Sequence, residues 1–153
     1  GDPADLVTLI DSAIADNPEN VDLWFGRGRI FYALKNYDES IASFKKVVEL
    51  KPDLFEGNYY LGVFYTIKAD EMNKVMNEKQ YSSQTAYDTD LKEVNAVYMD
   101  AVPWFEKAYE LKKDDVNTLD FLKSICFRLR DEEGMMDKYN KYNTLLKEAK
   151  GEE

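Results

Sequence analysis

The chain has 153 residues, of which 44% are hydrophobic and 33% charged, a balance that supplies a core and excludes general disorder. Its 30 Asp and Glu side chains outnumber its 20 Lys and Arg and give a net charge of -10, which disfavours nucleic acid and anionic membranes as partners. With no histidine and one cysteine, Cys126, the sequence excludes histidine-dependent catalysis, histidine-ligated metal sites and an internal disulfide.

A period of 34 residues organises most of the chain. It separates Pro18 from Pro52, and it separates Gly28 from Gly62. Within each period, apolar residues recur at helical spacing on both sides of a turn signal, so each unit is predicted to be two amphipathic helices. The predicted fold is therefore all-α, a single domain of stacked antiparallel helix pairs, because one pair cannot bury its apolar face alone.

Four units are predicted in chain order. Residues 4–18 match only the second half of a unit, so we expect them to form the second helix of a truncated repeat in a longer protein. A complete repeat covers 21–54. The next repeat, 55–115, carries an insertion at about 69–95, and the C-terminal repeat covers 116–150.

The insertion is predicted to lengthen both helices of its repeat into a projecting antiparallel hairpin, with a decorated loop as the alternative. Polar residues 78–87 are expected to form the loop, and the short acceptors at 88–90 are expected to start the second helix. Apolar residues at helical spacing are expected to face one another across the hairpin, namely Met72, Val75 and Met76 against Leu91, Val94 and Tyr98.

At the repeated positions the chain resembles the tetratricopeptide repeat family, whose 34-residue pattern is W-x2-L-G-x2-Y, then A-x3-F, then P. The first complete repeat matches this pattern at Trp24, Gly28, Phe31, Ser40, Phe44 and Pro52. The second matches it at Leu61, Gly62, Tyr65, Ala101 and Phe105. The third departs from it at Lys123, where the pattern has glycine. The resemblance implies a right-handed superhelix and a non-catalytic protein-binding function.

The resemblance also implies that exposed residues on the first helix of each repeat line a concave surface that holds a peptide or protein segment. The partner-binding residues expected there are Phe25, Arg29, Tyr32, Tyr59, Val63, Ser124, Phe127 and Arg128. Aromatic and arginine side chains are the usual anchors of protein interfaces, which favours this interpretation. The alternative is that these side chains pack on one another or on an upstream repeat.

Three hypotheses about function follow. The leading one is a protein-binding scaffold with no enzyme activity, cofactor or metal, and with a protein or peptide partner that the sequence does not identify. The alternative is a structural or self-association module of a larger envelope or cytoplasmic protein, acting through open repeat ends such as Leu6 and Leu9. An enzyme or small-molecule binder would need a deep pocket between the hairpin and the third repeat, holding Asp120 and Tyr98.

Other features of the sequence are assigned to structure. The acidic run 131–133 is interpreted as a solvated turn, and Cys126 as a small buried side chain. No stretch approaches the ~18 consecutive apolar residues of a membrane-spanning helix. The compartment and the oligomeric state are left open.

Overall fold

The computed structural model describes residues 1–152, which form seven α-helices and no strand. The helices are α1 (Pro3–Asp16), α2 (Val21–Ala33), α3 (Tyr37–Leu50), α4 (Phe55–Glu78), α5 (Gln84–Leu111), α6 (Val116–Arg128) and α7 (Met135–Ala149). Strong contacts join helices that are neighbours in sequence, and the pairs α2 with α3, α4 with α5, and α6 with α7 have the most extensive ones. The prediction of an all-α stack of helix pairs is confirmed.

The 34-residue period appears in the structure as a repeated hydrogen bond. The Trp24 indole Nε1 donates to the Pro18 carbonyl oxygen at 2.7 Å. The Asn58 amide Nδ2 donates to the Pro52 carbonyl oxygen at 2.9 Å, 34 residues later. Different side chains at equivalent positions thus tie the start of a repeat's first helix to the preceding turn.

Two glycines allow the helices of a pair to approach closely. A Cβ atom on Gly28 would lie 2.3 Å from the Phe44 ring, and one on Gly62 would lie 2.9 Å from the Phe105 ring. Both phenylalanines are fully buried. The glycine and the aromatic residue of the repeat pattern are therefore one packing unit, in which each ring occupies the space that the missing side chain leaves.

Arg27 stands where the family pattern has leucine, and the structure explains the departure. Its guanidinium lies 2.8 Å from an Asp11 carboxylate oxygen on α1 and 2.9 Å from a Glu39 carboxylate oxygen on α3. It also donates to the Ser43 hydroxyl at 2.8 Å and lies over the Phe31 ring. One side chain therefore connects three consecutive helices.

The loop predicted at 78–87 is confined to 79–83 in the structure, because Glu78 ends α4 and residues 84–87 belong to α5. Helix α5 begins at Gln84, because the Ser83 hydroxyl accepts the backbone N–H of Ala86 at 3.1 Å and caps the first turn. The Tyr81 hydroxyl donates to an Asp90 carboxylate oxygen at 2.7 Å, and this hydrogen bond holds the five-residue linker 79–83 against α5. The second half of the predicted loop therefore forms the first turn of α5.

The hairpin formed by α4 and α5 has its own core. Ala69 and Met76 on α4 are buried together with Val94 and Tyr98 on α5, and Met72 and Leu91 are partly buried beside them. The expectation that Val75 also faces inward is wrong, since its side chain is 53% exposed. Val75 lies one helical position away from the stripe that the buried residues occupy.

Candidate functional site

A groove between α2 and α4 gathers half of the predicted partner-binding residues. It encloses about 420 Å³ and is lined by Phe25, Arg29, Tyr32, Phe44, Tyr60, Val63, Phe64 and Ile67. Residues three and four apart on a helix share a face, which places the α2 residues on one wall and the α4 residues on the other. We call this surface the α2–α4 groove.

Aromatic rings form the walls and floor of the α2–α4 groove. The buried Phe44 ring lies with its centroid 4.8 Å from that of Phe25 and 4.9 Å from that of Phe64. The Tyr32 centroid is 5.5 Å from that of Phe64, and the Tyr60 centroid is 5.8 Å from that of Phe25. These are favourable separations for tilted and edge-to-face ring pairs, so the rings hold one another in place before any ligand arrives.

Among residues 1–152, Arg29 is the only charged residue that lines the groove. Its side chain is exposed, and within residues 1–152 it has no ion-pair partner and no side-chain hydrogen bond. An exposed guanidinium at the edge of an aromatic surface is suited to a carboxylate, which it can bind through two parallel hydrogen bonds. The groove therefore combines apolar walls with a single cationic group.

Tyr59 does not line the α2–α4 groove. Its ring stacks on Phe55 with centroids 5.5 Å apart and meets the edges of Phe105 and Phe121 at about 6 Å. Burial raises the pKa of the Tyr59 phenol above its usual value, and the negative charge of Asp115 adds to this shift. Tyr59 is therefore partly buried and packs on the chain's own aromatic residues, which is the arrangement that the alternative interpretation describes.

The predicted residues of the third repeat lie apart from the groove. The Arg128 guanidinium donates to the side-chain oxygens of Asn95 at 3.1 Å and Asn73 at 2.9 Å. The Phe127 ring packs on Tyr139, with centroids 5.1 Å apart. Ser124 is exposed on α6 and does not line the groove. Arg128 thus connects the third repeat to the hairpin.

Sequence reasoning missed two lining residues of α4, Tyr60 and Phe64. Together with Val63 they follow helical spacing along one face of α4, so the signal was present in the sequence. It was missed because Tyr59 precedes Tyr60 and occupies the position that the family pattern assigns to the binding surface.

The pocket that an enzyme would need has a different composition. A cavity of about 390 Å³ lies between the hairpin and the third repeat, and neither Asp120 nor Tyr98 lines it. Asparagine and arginine side chains dominate it, including the Arg128 cluster. Residues 1–152 contain no group of three or more cysteine, aspartate or glutamate side chains placed to hold a metal ion.

Cys126 is expected to react poorly with a disulfide reagent in the native protein. Burial raises the pKa of its thiol from 9.0 to about 11, and the negative charge of Glu106 contributes. A shift upward by two pH units lowers the thiolate fraction at pH 8 by about 100-fold, and the side chain is also inaccessible. A chromogenic disulfide reagent should therefore label it slowly before guanidinium unfolding and rapidly after it. Rapid labelling of the native protein at pH 8 would contradict the buried placement.

Comparison with known proteins shows which folds this chain resembles. Residues 1–54 match the family model described as tetratricopeptide repeat. The solved structure of MamA MSR-1 superposes with a TM-score of 0.57 at 18% identity, over 91% of this chain and 64% of that one. MamA AMB-1 gives 0.57 at 19% identity, over 95% and 61%. The chain thus spans less than two thirds of either structure. A search of curated proteins finds no match.

The helix pairs, their 34-residue period and the exposed groove between two first helices define an α-solenoid repeat protein. Residues 1–54 match the tetratricopeptide repeat family, and the fold of residues 1–152 is of the same solenoid type. Proteins of this family are generally non-catalytic interaction modules, and their partners are proteins or peptides. Among residues 1–152, no helix combines the length and apolar character needed to cross a membrane.

Proposed function

We propose that this chain is a non-catalytic scaffold that binds a peptide or protein segment in the α2–α4 groove, on the face that the family resemblance makes concave. The observation that carries the proposal is the groove itself, about 420 Å³ of space walled by packed aromatic rings. That volume lies in the range of pockets that take a ligand of a few side chains. Because the rings already pack on one another, they lose little conformational entropy when a ligand binds.

The chemistry of the groove indicates what the partner segment carries. An aromatic or branched aliphatic side chain would pack between Tyr32 and Tyr60, whose rings are partly exposed. A carboxylate next to it would pair with Arg29, which has no acidic partner within residues 1–152. A segment with both features uses the apolar walls for affinity and the ion pair for orientation.

The test starts from a peptide selected from a random library by the unaltered protein. Its dissociation constant is then measured for Arg29→Gln and Tyr32→Ala, with Arg130→Gln as a matched control at an exposed arginine outside the groove. Each groove variant is expected to weaken binding by about tenfold or more, as anchor residues at interfaces do, and the control is expected to leave it unchanged. Methyl resonances of Val63 and Ile67 should shift on binding. Unchanged affinity in both groove variants would reject the α2–α4 groove.

Self-association is a second proposal, and an exposed apolar surface favours it. Leu6 and Leu9 on α1 point to solvent, with Leu9 66% exposed, beside a cavity of about 440 Å³ between α1 and α2. A second copy covering this surface would remove it from water. If the proposal is right, sedimentation should show an oligomer that Leu6→Ser with Leu9→Ser dissociates. A monomeric unaltered protein at high concentration would exclude it.

A further inference from the structure

A second cavity lies on the hairpin, outside the α2–α4 groove. It encloses about 340 Å³ where α4 passes the start of α3. Residues Met72, Val75 and Met76 of α4 and Val94 of α5 form its floor. We call it the hairpin notch. It exists because the second repeat is longer than its neighbour, so that α4 presents a face that no helix of the first repeat covers.

The floor of the hairpin notch is apolar and adaptable. Met72 and Met76 are one helical turn apart on α4, and Val75 beside them is 53% exposed. Methionine is flexible and polarizable, which lets a surface that contains it adjust to the shape of an inserted side chain. An exposed branched aliphatic residue in a concave surface gains free energy when a partner covers it.

Some of the charged side chains around the hairpin notch are in ion pairs and others are not. The Lys68 ammonium lies 2.8 Å from an Asp38 carboxylate oxygen, and the Lys79 ammonium lies 3.1 Å from an Asp90 carboxylate oxygen. Both lysines that line the notch are therefore already paired.

Glu71 and Glu93 also line the notch, and neither forms an ion pair within residues 1–152. The pKa of Tyr37, another lining residue, is raised, chiefly by burial and further by the negative charge of Glu71. The field at the notch is therefore negative, in a chain whose net charge is -10.

We propose that the hairpin notch is a second interaction site, which binds a short basic amphipathic segment of a partner protein. An apolar side chain of the segment covers Val75 and the partly buried Met72 and contacts the edge of Met76, and flanking Lys or Arg side chains pair with Glu71 and Glu93. The basic character follows from charge complementarity, since the free charges at the rim are both carboxylates. An acidic segment would meet repulsion from the same two groups.

The first experiment uses the whole chain with 13C-methyl-labelled methionine. The probe is a synthetic helical peptide of leucine and lysine with one apolar face, and its counterpart has glutamate in place of lysine. The leucine–lysine peptide is expected to shift the methyl signals of Met72 and Met76. The other three methionines, Met99, Met135 and Met136, lie outside the notch and report on binding elsewhere.

Paired variants separate local recognition from the overall charge. Glu71→Gln with Glu93→Gln is expected to weaken binding of the leucine–lysine peptide about tenfold, as the loss of two favourable charge pairs predicts. The control, Glu132→Gln with Glu133→Gln, removes the same charge from the exposed turn between α6 and α7 and should change the affinity less than about twofold. Val75→Ser should weaken binding without altering the charge.

Several outcomes would overturn the proposal. If the control pair weakens binding as much as the rim pair does, the net charge of the protein and not the notch attracts the peptide. If the glutamate peptide binds as tightly as the lysine peptide, Glu71 and Glu93 do not select the partner. Shifts of Met72 and Met76 that grow with protein concentration alone would identify a second copy as the occupant. Arg29→Gln should leave binding of the leucine–lysine peptide unchanged, so failure of the notch and failure of the α2–α4 groove are distinguishable.

Discussion

Replacing Phe105 with alanine is expected to lower the free energy of unfolding by about 3–5 kcal/mol, the usual loss when a large buried ring is removed. The Phe105 side chain is fully buried, and its ring stacks on Phe121 with centroids 4.8 Å apart. It also fills the space above Gly62, so its removal leaves a cavity between α4, α5 and α6. Urea unfolding followed by tryptophan fluorescence measures the loss.

Phe127→Ala is the matched control, because it makes the same chemical change at a ring that is 46% exposed. We expect a loss of about 1 kcal/mol or less there, since only contacts with Tyr139 and Arg130 disappear and little cavity forms. Similar losses at both positions would mean that the Phe105 ring is not the packing element described here.

Replacing either of two glycines on α2, which are two residues apart, with alanine is expected to change the stability in opposite directions. At Gly28 the added methyl group would lie 2.3 Å from the buried Phe44 ring, so either the ring or the helix must move. Overpacking of this kind costs about 1–3 kcal/mol. Gly28→Ala should therefore unfold at a lower urea concentration than the unaltered protein.

Gly26→Ala should stabilise the chain by about 0.5–1 kcal/mol, because alanine restricts the unfolded backbone and favours the helix. The nearest atom to the added methyl group is the Ile10 side chain at 3.8 Å, an ordinary contact. Because both changes lie on α2, helix propensity alone predicts the same sign for both. A stabilising Gly28→Ala would contradict the close approach of α2 and α3.

The repeat architecture could be predicted because its period is a packing requirement. Gly28 and Gly62 recur 34 residues apart, because each lies opposite a buried ring that needs a residue without a side chain. The rings are Phe44 and Phe105, and the insertion in the second repeat widens their spacing to 61 residues. A pattern of this kind is local to each repeat, so periodicity is enough to locate it.

The hairpin was less predictable because contacts between distant residues determine its details. Arg128 forms hydrogen bonds with Asn73 and Asn95, which lie 55 and 33 residues away in the sequence. No spacing pattern in the sequence predicts contacts of this kind. The start of α5 was misplaced for a similar reason. Its first turn is polar, and the Ser83 cap and the Tyr81 contact that support it carry no periodic signal.

The candidate site was partly predictable. Family resemblance gave Phe25, Arg29, Tyr32 and Val63, which line the α2–α4 groove. It also gave Tyr59, which packs against the chain's own aromatic residues. Neighbouring residues on a helix differ in direction by about 100°, so the lengthened repeat decides which of Tyr59 and Tyr60 faces solvent only once the helices are packed.

The stacking of consecutive helices has a mechanical consequence. Strong contacts join each helix to the one before and the one after it, while α2 and α4 meet through rings such as Tyr32 and Phe64. A solenoid connected in this way is elastic, because small rotations between adjacent repeats change its curvature. A segment bound in the α2–α4 groove, as proposed above, would restrain the rotation between the first and second complete repeats. It would fix the pitch of the first two complete repeats and leave the third free to bend.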